Sequence, residues 1–462
     1  MALTMSWRGN DTIERPWSAN KILAHCFRQD GLVSVYRKLM RHTGTIINLR
    51  AYPQLEGLPY AILRRSFADA VIAGWVRDGA VEFHPADGDT LRGTDHLMVI
   101  AEKHTHRTPP RELLTDLEVA EDGTTLRPAP GTALEARLAR WVEAGRGERR
   151  DGGSAGTTAA AGDNDNDSEL SRILICGWRT GIVDAIIELD HHVSPHTHIV
   201  ILDETPVNVR VALLDRRLAL RRAELRNITV KHVQGTCLSR TDITYAIGDL
   251  LTSAGEELGR EAGQRRGTEA AAPPPPPHVI HVLAVGNQDQ RNLYSVVSAM
   301  DVCRELGADV GHLVLEARDR NLGQQVLHTY PQITYVSSSE LMALLTSQVV
   351  EYRQLNAVWT ELLSSNNSDG SAVYMKNAGG RGAGVAGAGG AGAGAGAEAG
   401  AGADTSTTFN QLAEAARLKD EVLIGWKVDG EIHINPPAKD ASVDAASLEK
   451  IVVIARQHDR NT

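Results

Sequence analysis

Four carboxylates stand at the ends of apolar, β-rich runs or just past them. Asp203 and Glu204 follow the run 198–202, Glu316 closes the run 310–316, and Asp319 lies just beyond it. Hard carboxylates converging on one edge suit calcium, which takes roughly six to eight oxygen ligands. The carboxyl edge of a doubly wound sheet is also where such sheets bind ligands. Asp203, Glu204, Glu316 and Asp319 are therefore the candidate metal ligands. The competing reading is that they cap helices and pair with Arg179, Arg318 and Arg320, as strand-tip acids do without any metal.

Other residues invite chemistry and are read more plainly. Arg179, just after Gly177, could receive an anion at a helix N-terminus; an ion pair with a strand-tip acid is preferred. His191, His192, His196 and His198 form a histidine-rich stretch. Zinc needs a fixed ligand spacing and Pro195 breaks any helical face, so a solvated loop is expected. Asp163, Asp165 and Asp167 alternate like the start of a calcium loop. The EF-hand spacing fails, with no glycine at the sixth position and Leu174 at the twelfth, which leaves a solvated acidic linker. There is no P-loop and no H-E-x-x-H, and no nucleophile and base fall into a recognisable arrangement. The chain is expected not to be an enzyme.

The elements that must position these residues are legible around the stretch 172–179, R-I-L-I-C-G-W-R. A short apolar run ends at Gly177. A helical pattern follows with Ile182, Val183, Ile186, Ile187 and Leu189 on its buried side, and the next apolar run ends at Asp203. Strand, glycine turn, helix, strand and acid at the tip open a Rossmann-type βαβ unit. The G-x-G-x-x-G fingerprint is missing, because Trp178 and Arg179 follow Gly177 where a dinucleotide needs close backbone approach. No nucleotide is expected, and an NAD(P)-dependent oxidoreductase stands only as the alternative. Further strands at 227–232, 279–285, 310–316 and 333–336, alternating with helices, argue a doubly wound parallel sheet.

The chain has 462 residues, enough for two or three domains, and a formal charge of −10, which argues against nucleic-acid binding. No apolar run is long enough to span a bilayer, and no signal-peptide pattern opens the chain. Cys26, Cys176, Cys237 and Cys303 are scattered in apolar patterns without a C-x-x-C, which suggests a reducing compartment.

The two ends of the chain resemble each other. Gly74-Trp75, Asp78-Gly79 and Pro85 align without a gap on Gly425-Trp426, Asp429-Gly430 and Pro436. Val99-Ile100-Ala101 aligns on Val453-Ile454-Ala455 after a small insertion. Upstream, Leu23-Ala24, Gln29 and Val35 line up with Met342-Ala343, Gln348 and Val358. The order helix, helix, strand, helix, strand, hairpin, strand occurs twice, which implies two copies of one α/β lobe. The duplicated Trp75 and Trp426 argue a shared packing role. Leu23, Phe27 and Leu32, with Met342, Leu345 and Val349, form apolar helix faces that could be buried within the chain or across a dimer. The first copy begins at a helix with nothing to cross over from, as though a larger architecture had been entered midway.

A Rossmann lobe, a crossover helix pair and a small C-terminal α/β lobe, in tandem, resemble RCK domains (regulators of potassium conductance). The likeness is to the CASTOR/POLLUX ion-channel family in particular. It is carried by I-L-I-C-G-W-R (173–179), D-E-T-P (203–206), L-R-N-I-T-V (225–230), L-V-L-E-A-R-D-R-N-L (313–322), V-S-S-S-E-L-M-A-L (336–344), V-L-I-G-W-K (422–427) and I-N-P-P-A-K (434–439). P-Q-L-E-G-L-P-Y (53–60) and F-H-P-A-D (83–87) add to it. The resemblance covers most of 17–456 outside the linkers.

The resemblance implies a disordered leader at 1–16 and a first RCK C-lobe with crossover helices at 17–105. A flexible linker would follow at 106–168, then a Rossmann-like N-lobe at 169–338 with an insertion at 255–277. The second C-lobe would be 339–458, with a Gly/Ala insertion at 378–404. The expected fold class is α/β: a doubly wound parallel sheet flanked by two small C-lobe-type units. The function it implies is that of a gating-ring region coupling calcium or another ligand to ion flow through a pore elsewhere. The partners would be further copies joined through the crossover helices, dimer to tetramer, and the channel's pore segment. The setting would be an organelle membrane, nuclear or plastid envelope, with this stretch soluble. Pore helices and a first Rossmann lobe, expected before Trp17, are not in the sequence, and the segment 307–310 is shorter than the family pattern. A soluble RCK-like interaction protein is the remaining alternative.

Overall fold

The computed structural model describes residues 15–103, 105–106, 108–119, 126–136, 138–139, 171–179, 181–264, 279–363, 370–378, 406–444 and 446–456. The leader up to residue 14, the acidic run at 163–167, residues 265–277 of the proline-rich insertion and most of the Gly/Ala insertion lie outside the described residues.

The chain opens with α1 (Arg15–Arg28) and α2 (Leu32–Met40), then β1 (Thr45–Ala51), α3 (Tyr60–Ser66), β2 (Val71–Arg77), β3 (Ala80–Glu82) and β4 (His96–Glu102). A short α4 (Glu112–Thr115) and the strands β5 (Leu117–Val119) and β6 (Leu126–Pro128) follow. The alternating stretch is β7 (Arg172–Cys176), α5 (Ile182–Asp190), β8 (Thr197–Asp203), α6 (Val207–Arg221), β9 (Ile228–Gln234) and α7 (Arg240–Gln264). It continues through β10 (Val279–Ala284), α8 (Asp289–Glu305), β11 (Asp309–Glu316), α9 (Arg320–Thr329) and β12 (Ile333–Val336). The last part holds α10 (Ser338–Glu351), α11 (Leu355–Leu362), β13 (Ser371–Asn377), β14 (Ser406–Thr408), α12 (Phe409–Leu418), β15 (Val422–Val428), β16 (Glu431–Ile434), β17 (Ser442–Asp444) and β18 (Leu448–Arg456). These elements fall into two compact units, divided at Met40/Arg41, Asp165/Asn166, Gly370/Ser371 and Gln457/His458.

The first unit holds the six-stranded sheet in the order β12-β11-β10-β7-β8-β9, with every neighbouring pair parallel. Because helices cover both faces, its central strands are continuous apolar runs rather than alternating ones. Leu174, Val200, Leu202, Val282 and Ala284 pack with Ile243 and Ile247 of α7 and with Val296 and Ala299 of α8. All four cysteines are buried and unpaired, and Cys176, Cys237 and Cys303 share this core. The helix pair of each copy belongs to the same unit: α1 packs on α5 and α10, and α10 packs on α2 and α11. The buried Gln348 ties them, donating to Leu39 O at 2.8 Å and accepting from Trp359 Nε1 at 3.1 Å.

The second unit contains the duplicated sheets. Their strand orders, β1-β4-β2-β3 and β13-β18-β15-β16, are the same. Both central strands carry a bulge at the matching place, between Ile72 and Gly74 and between Leu423 and Gly425. The bulge explains the two glycines. A Cβ on Gly74 would lie 2.0 Å from Glu82 O, and one on Gly425 would lie 2.4 Å from His433 O. Both hairpins turn through left-handed Asp-Gly pairs, Asp78 and Gly79 at φ 51° and 83°, Asp429 and Gly430 at 50° and 79°, the conformation a two-residue type I′ turn demands. Trp75 packs edge-to-face on Tyr60 and Trp426 on Phe409, each ring partner being the first residue of α3 or α12.

The compact units thus cut across the sequence segments 17–105 and 339–458, whose crossover helix pairs lie in one unit and whose sheets, with α3 and α12, lie in the other. The segment 106–168, read as a linker, also contributes packed structure. Leu113 of α4 and Leu134 are buried in the core of the first sheet, beside Leu63, Trp75 and Val99.

Candidate functional site

The carboxyl edge of the parallel sheet is assembled from loops that leave β7, β10 and β11 and from the start of α10. Between β7 and β10 the strand order reverses, which is where doubly wound sheets open a crevice. Arg179 occupies it. Its Nε and Nη2 donate to Glu316 Oε2 and Oε1 at 3.0 and 3.1 Å, and its Nη1 donates to Asn20 Oδ1 at 2.5 Å. Ser338 Oγ donates to Glu316 Oε1 at 2.7 Å. One bidentate fork therefore links β7, β11, α1 and α10. A small cleft beside it is lined by Arg179, Gly286, Glu316, Arg318, Ser338 and Met342.

The other candidate acids are engaged separately. Glu204 pairs with Arg291 at 3.0 Å, and hydrogen bonds from Thr236 and Arg291 hold its pKa below the usual carboxylate range. Asp203 Oδ1 accepts from Thr205 N at 2.8 Å. Asp319 caps α9, accepting from Asn321 N at 2.9 Å. As placed, the four carboxylates do not make a calcium set, because guanidinium groups hold Glu316 and Glu204 while backbone amides hold Asp203 and Asp319. Of the arginines named from the sequence, Arg179 pairs as expected. Arg318 donates to Asn287 Oδ1 at 2.7 Å and Arg320 reaches Glu340 at 3.9 Å.

Gly177 has a structural reason for its identity. It sits at φ 102°, and a Cβ there would lie 1.9 Å from Val285 O at the end of β10. The glycine that opens a dinucleotide turn elsewhere here lets two strand ends touch. Gly177→Ala is expected to cost about 1–3 kcal/mol or more through strain and overpacking, read as a fall in the urea midpoint. An unchanged midpoint would mean the strand ends part freely.

Several functional-looking residues escaped the sequence reading. Arg210 is fully buried and donates to the carbonyls of Thr205, Ile201 and Val233 at 2.9 Å each, stitching β8 to β9. Asp190 accepts from the amides of Arg226, Asn227 and Ile228. The histidine-rich stretch divides: His191 and His196 are exposed, but the His192 side chain is only 6% exposed and belongs to a cluster with His25 and Glu188. Among the described residues this is the one group of three or more His, Cys, Asp or Glu whose ligand atoms lie within 4.8 Å of one another. Glu188 faces Lys21 at 3.3 Å, His25 at 3.2 Å and His192 at 3.5 Å. Burial opposes its charge, but hydrogen bonds from His192 and His25 and the charge of Lys21 hold its pKa well below the ordinary value. Burial pushes the pKa of His25 down and that of His192 down to about 3.

Residues 18–116 match the family model described as Castor and Pollux, part of voltage-gated ion channel. Over 453 residues, 95% of the chain, the sequence is 22% identical to the ion channel CASTOR of Lotus japonicus, of which it covers 45%. The chain is similar to the CASTOR/POLLUX ion channels. It is also 21% identical over 449 residues to the probable ion channel POLLUX of Arabidopsis thaliana, covering 94% of this chain and 46% of that protein. The chain thus spans less than half the length of these CASTOR and POLLUX relatives. The fold is shared with the human SLO3 gating ring, at a TM-score of 0.54 and 12% identity, over 96% of this chain and 75% of that one. Among the described residues no helix is long and apolar enough to cross a membrane.

Proposed function

We propose that the chain is the regulatory, ring-forming region of a CASTOR/POLLUX-type cation channel, acting on a pore carried by another segment and performing no enzymatic step. The observation that supports this reading most directly is the match to CASTOR along 95% of the chain, joined to a Rossmann lobe that carries the helix pairs of two tandem copies. Self-association runs through those helices, and the complex sits at an organelle membrane. The carboxyl edge of the sheet is where a ligand would act, because Arg179 there joins four elements that a bound ion or molecule could rearrange. Calcium is the first ion to test at Asp203, Glu204, Glu316 and Asp319, although it would have to displace Arg179 and Arg291.

Light scattering of the purified chain, with and without calcium, tests both parts. A dimer or larger species is expected at micromolar concentration, and a chain that stays monomeric up to about 100 μM overturns the ring reading. A calcium-dependent rise in melting temperature that is lost in Asp203→Ala and Glu204→Ala supports the ion. No shift up to millimolar calcium removes it and leaves the assembly result standing.

A further inference from the structure

The cluster on α1 and α5 has the makings of a second, unrelated site. We propose that His25, Glu188 and His192 bind a divalent transition cation of the zinc class, which fastens the crossover helix α1 to the Rossmann lobe. The inference does not depend on the channel reading.

Two imidazoles and one carboxylate are a set that zinc and its neighbours take, with a further position left for water. The sequence spacing delivers it. Glu188 in the last turn of α5 and His192 just past its end are four residues apart, and Lys21, His25 and Arg28 share one face of α1. The three ligand atoms are buried and already converge on Glu188 Oε1. His25 has the outer partner expected of a metal ligand: its Nδ1 lies 2.8 Å from Tyr36 Oη, so a proton on Nδ1 donated to Tyr36 leaves the Nε2 lone pair facing inward. His192 Nε2 is buried and faces Glu188 Oε1 at 3.5 Å.

Two cations set the cost. Arg28 Nη1, a donor only, lies 3.0 Å from His192 Nδ1. That contact places the ring proton on Nε2, the atom that must ligate. Binding therefore requires Arg28 to turn away and the ring proton to move to Nδ1. Lys21 sits 3.3 Å from the second oxygen of Glu188 and must yield that ion pair if the carboxylate turns both oxygens to the metal. Arg28 is thus a built-in brake on the site.

Cobalt(II) titration of the full chain, followed by visible absorption and displaced by zinc, tests this. One cobalt per chain with ligand-field absorption is expected, together with a raised melting temperature. Both should be lost in His25→Gln and in His192→Gln, with the metal-free melt and far-ultraviolet dichroism confirming that each variant folds. Arg28→Gln should bind at least about tenfold tighter, the usual scale of outer-shell effects. The proposal is overturned if neither the wild type nor Arg28→Gln shows the absorption at millimolar cobalt. It is equally overturned if the absorption survives His25→Gln and His192→Gln, which would assign the metal to surface histidines such as His191 or His196.

Discussion

Glu414→Ala is expected to cost the second unit about 3–5 kcal/mol, the range for removing one partner of a buried ion pair. Glu414 lies on α12 of the second copy with its side chain 12% exposed, and α3 of the first copy brings two arginines to it. Arg64 Nη1 and Nη2 donate at 2.6 and 3.2 Å, and Arg65 Nε and Nη2 donate at 3.0 and 2.9 Å. Burial raises the carboxyl pKa, but these two guanidinium groups more than reverse it, leaving Glu414 below its ordinary value. Arg64 also reaches Asp87 at 3.1 Å, and Arg417 returns to Asp87 at 3.2 Å and to Pro85 O at 2.7 Å. Without Glu414, Arg65 loses both of its carboxylate bonds and Arg64 keeps only Asp87. Chemical unfolding followed by tryptophan fluorescence reads the loss, because Trp75 and Trp426 report on both sheets. A loss below about 1 kcal/mol would place the network among the solvated surface pairs.

The second large effect is a rise of stability with alkalinity. Lys439 closes the I-N-P-P-A-K motif and is 6% exposed, its Nζ donating to the carbonyls of Phe67 and Ala70 in the first copy. Burial lowers its pKa to about 7, against the pull of Asp69 and Asp440. In the unfolded chain the group keeps its proton up to about 10.5. Between these values the unfolded chain binds more protons than the folded one, so stability grows as pH rises through this window and is flat below it. The full span is on the order of 5 kcal/mol, at about 1.4 kcal/mol for each pKa unit between the folded and unfolded values. Melts of the wild type and of Lys439→Met from neutral pH to pH ~10 should diverge, with the wild type gaining. Parallel curves would show that the ammonium is solvated after all.

What could be read from the sequence was whatever the backbone forces on residue type. The Asp-Gly turns need left-handed φ, the bulges at Gly74 and Gly425 admit no Cβ, and the continuous apolar strands mark a sheet buried on both faces. These constraints are local, so the duplication and the α/β class were legible from short motifs. The partners of charged side chains were not. Arg179 and Glu316 are 137 positions apart and His25 and Glu188 are 163 apart, and no local pattern tells one strand-tip acid from the next. The four carboxylates lie at or just past the carboxyl ends of β8 and β11, as the strand pattern implies, but their partition among Arg179, Arg291 and backbone amides depends on the packed structure. For His192 the signal was present, one helical turn after Glu188, and it was masked by the exposed histidines and Pro195 that follow. The segment 106–168 reads as a linker from its Gly-, Ala-, Ser- and Asp-rich composition; the amphipathic pattern at 133–142 within it holds Leu134, but nothing local marks Leu134 or Leu113 as anchored in a distant core.

The network around Glu414 also makes the two copies unlike at the face they share. In the gapless alignment that sets Gly74 on Gly425, Ala415 and Ala416 stand opposite Arg64 and Arg65, and Leu63 stands opposite Glu414. Two first copies facing each other would bring arginines against arginines, and two second copies would bring a glutamate against a glutamate. Once alike, the copies have become lock and key. The seam therefore joins a first copy to a second and disfavours like against like, a discrimination made by charge.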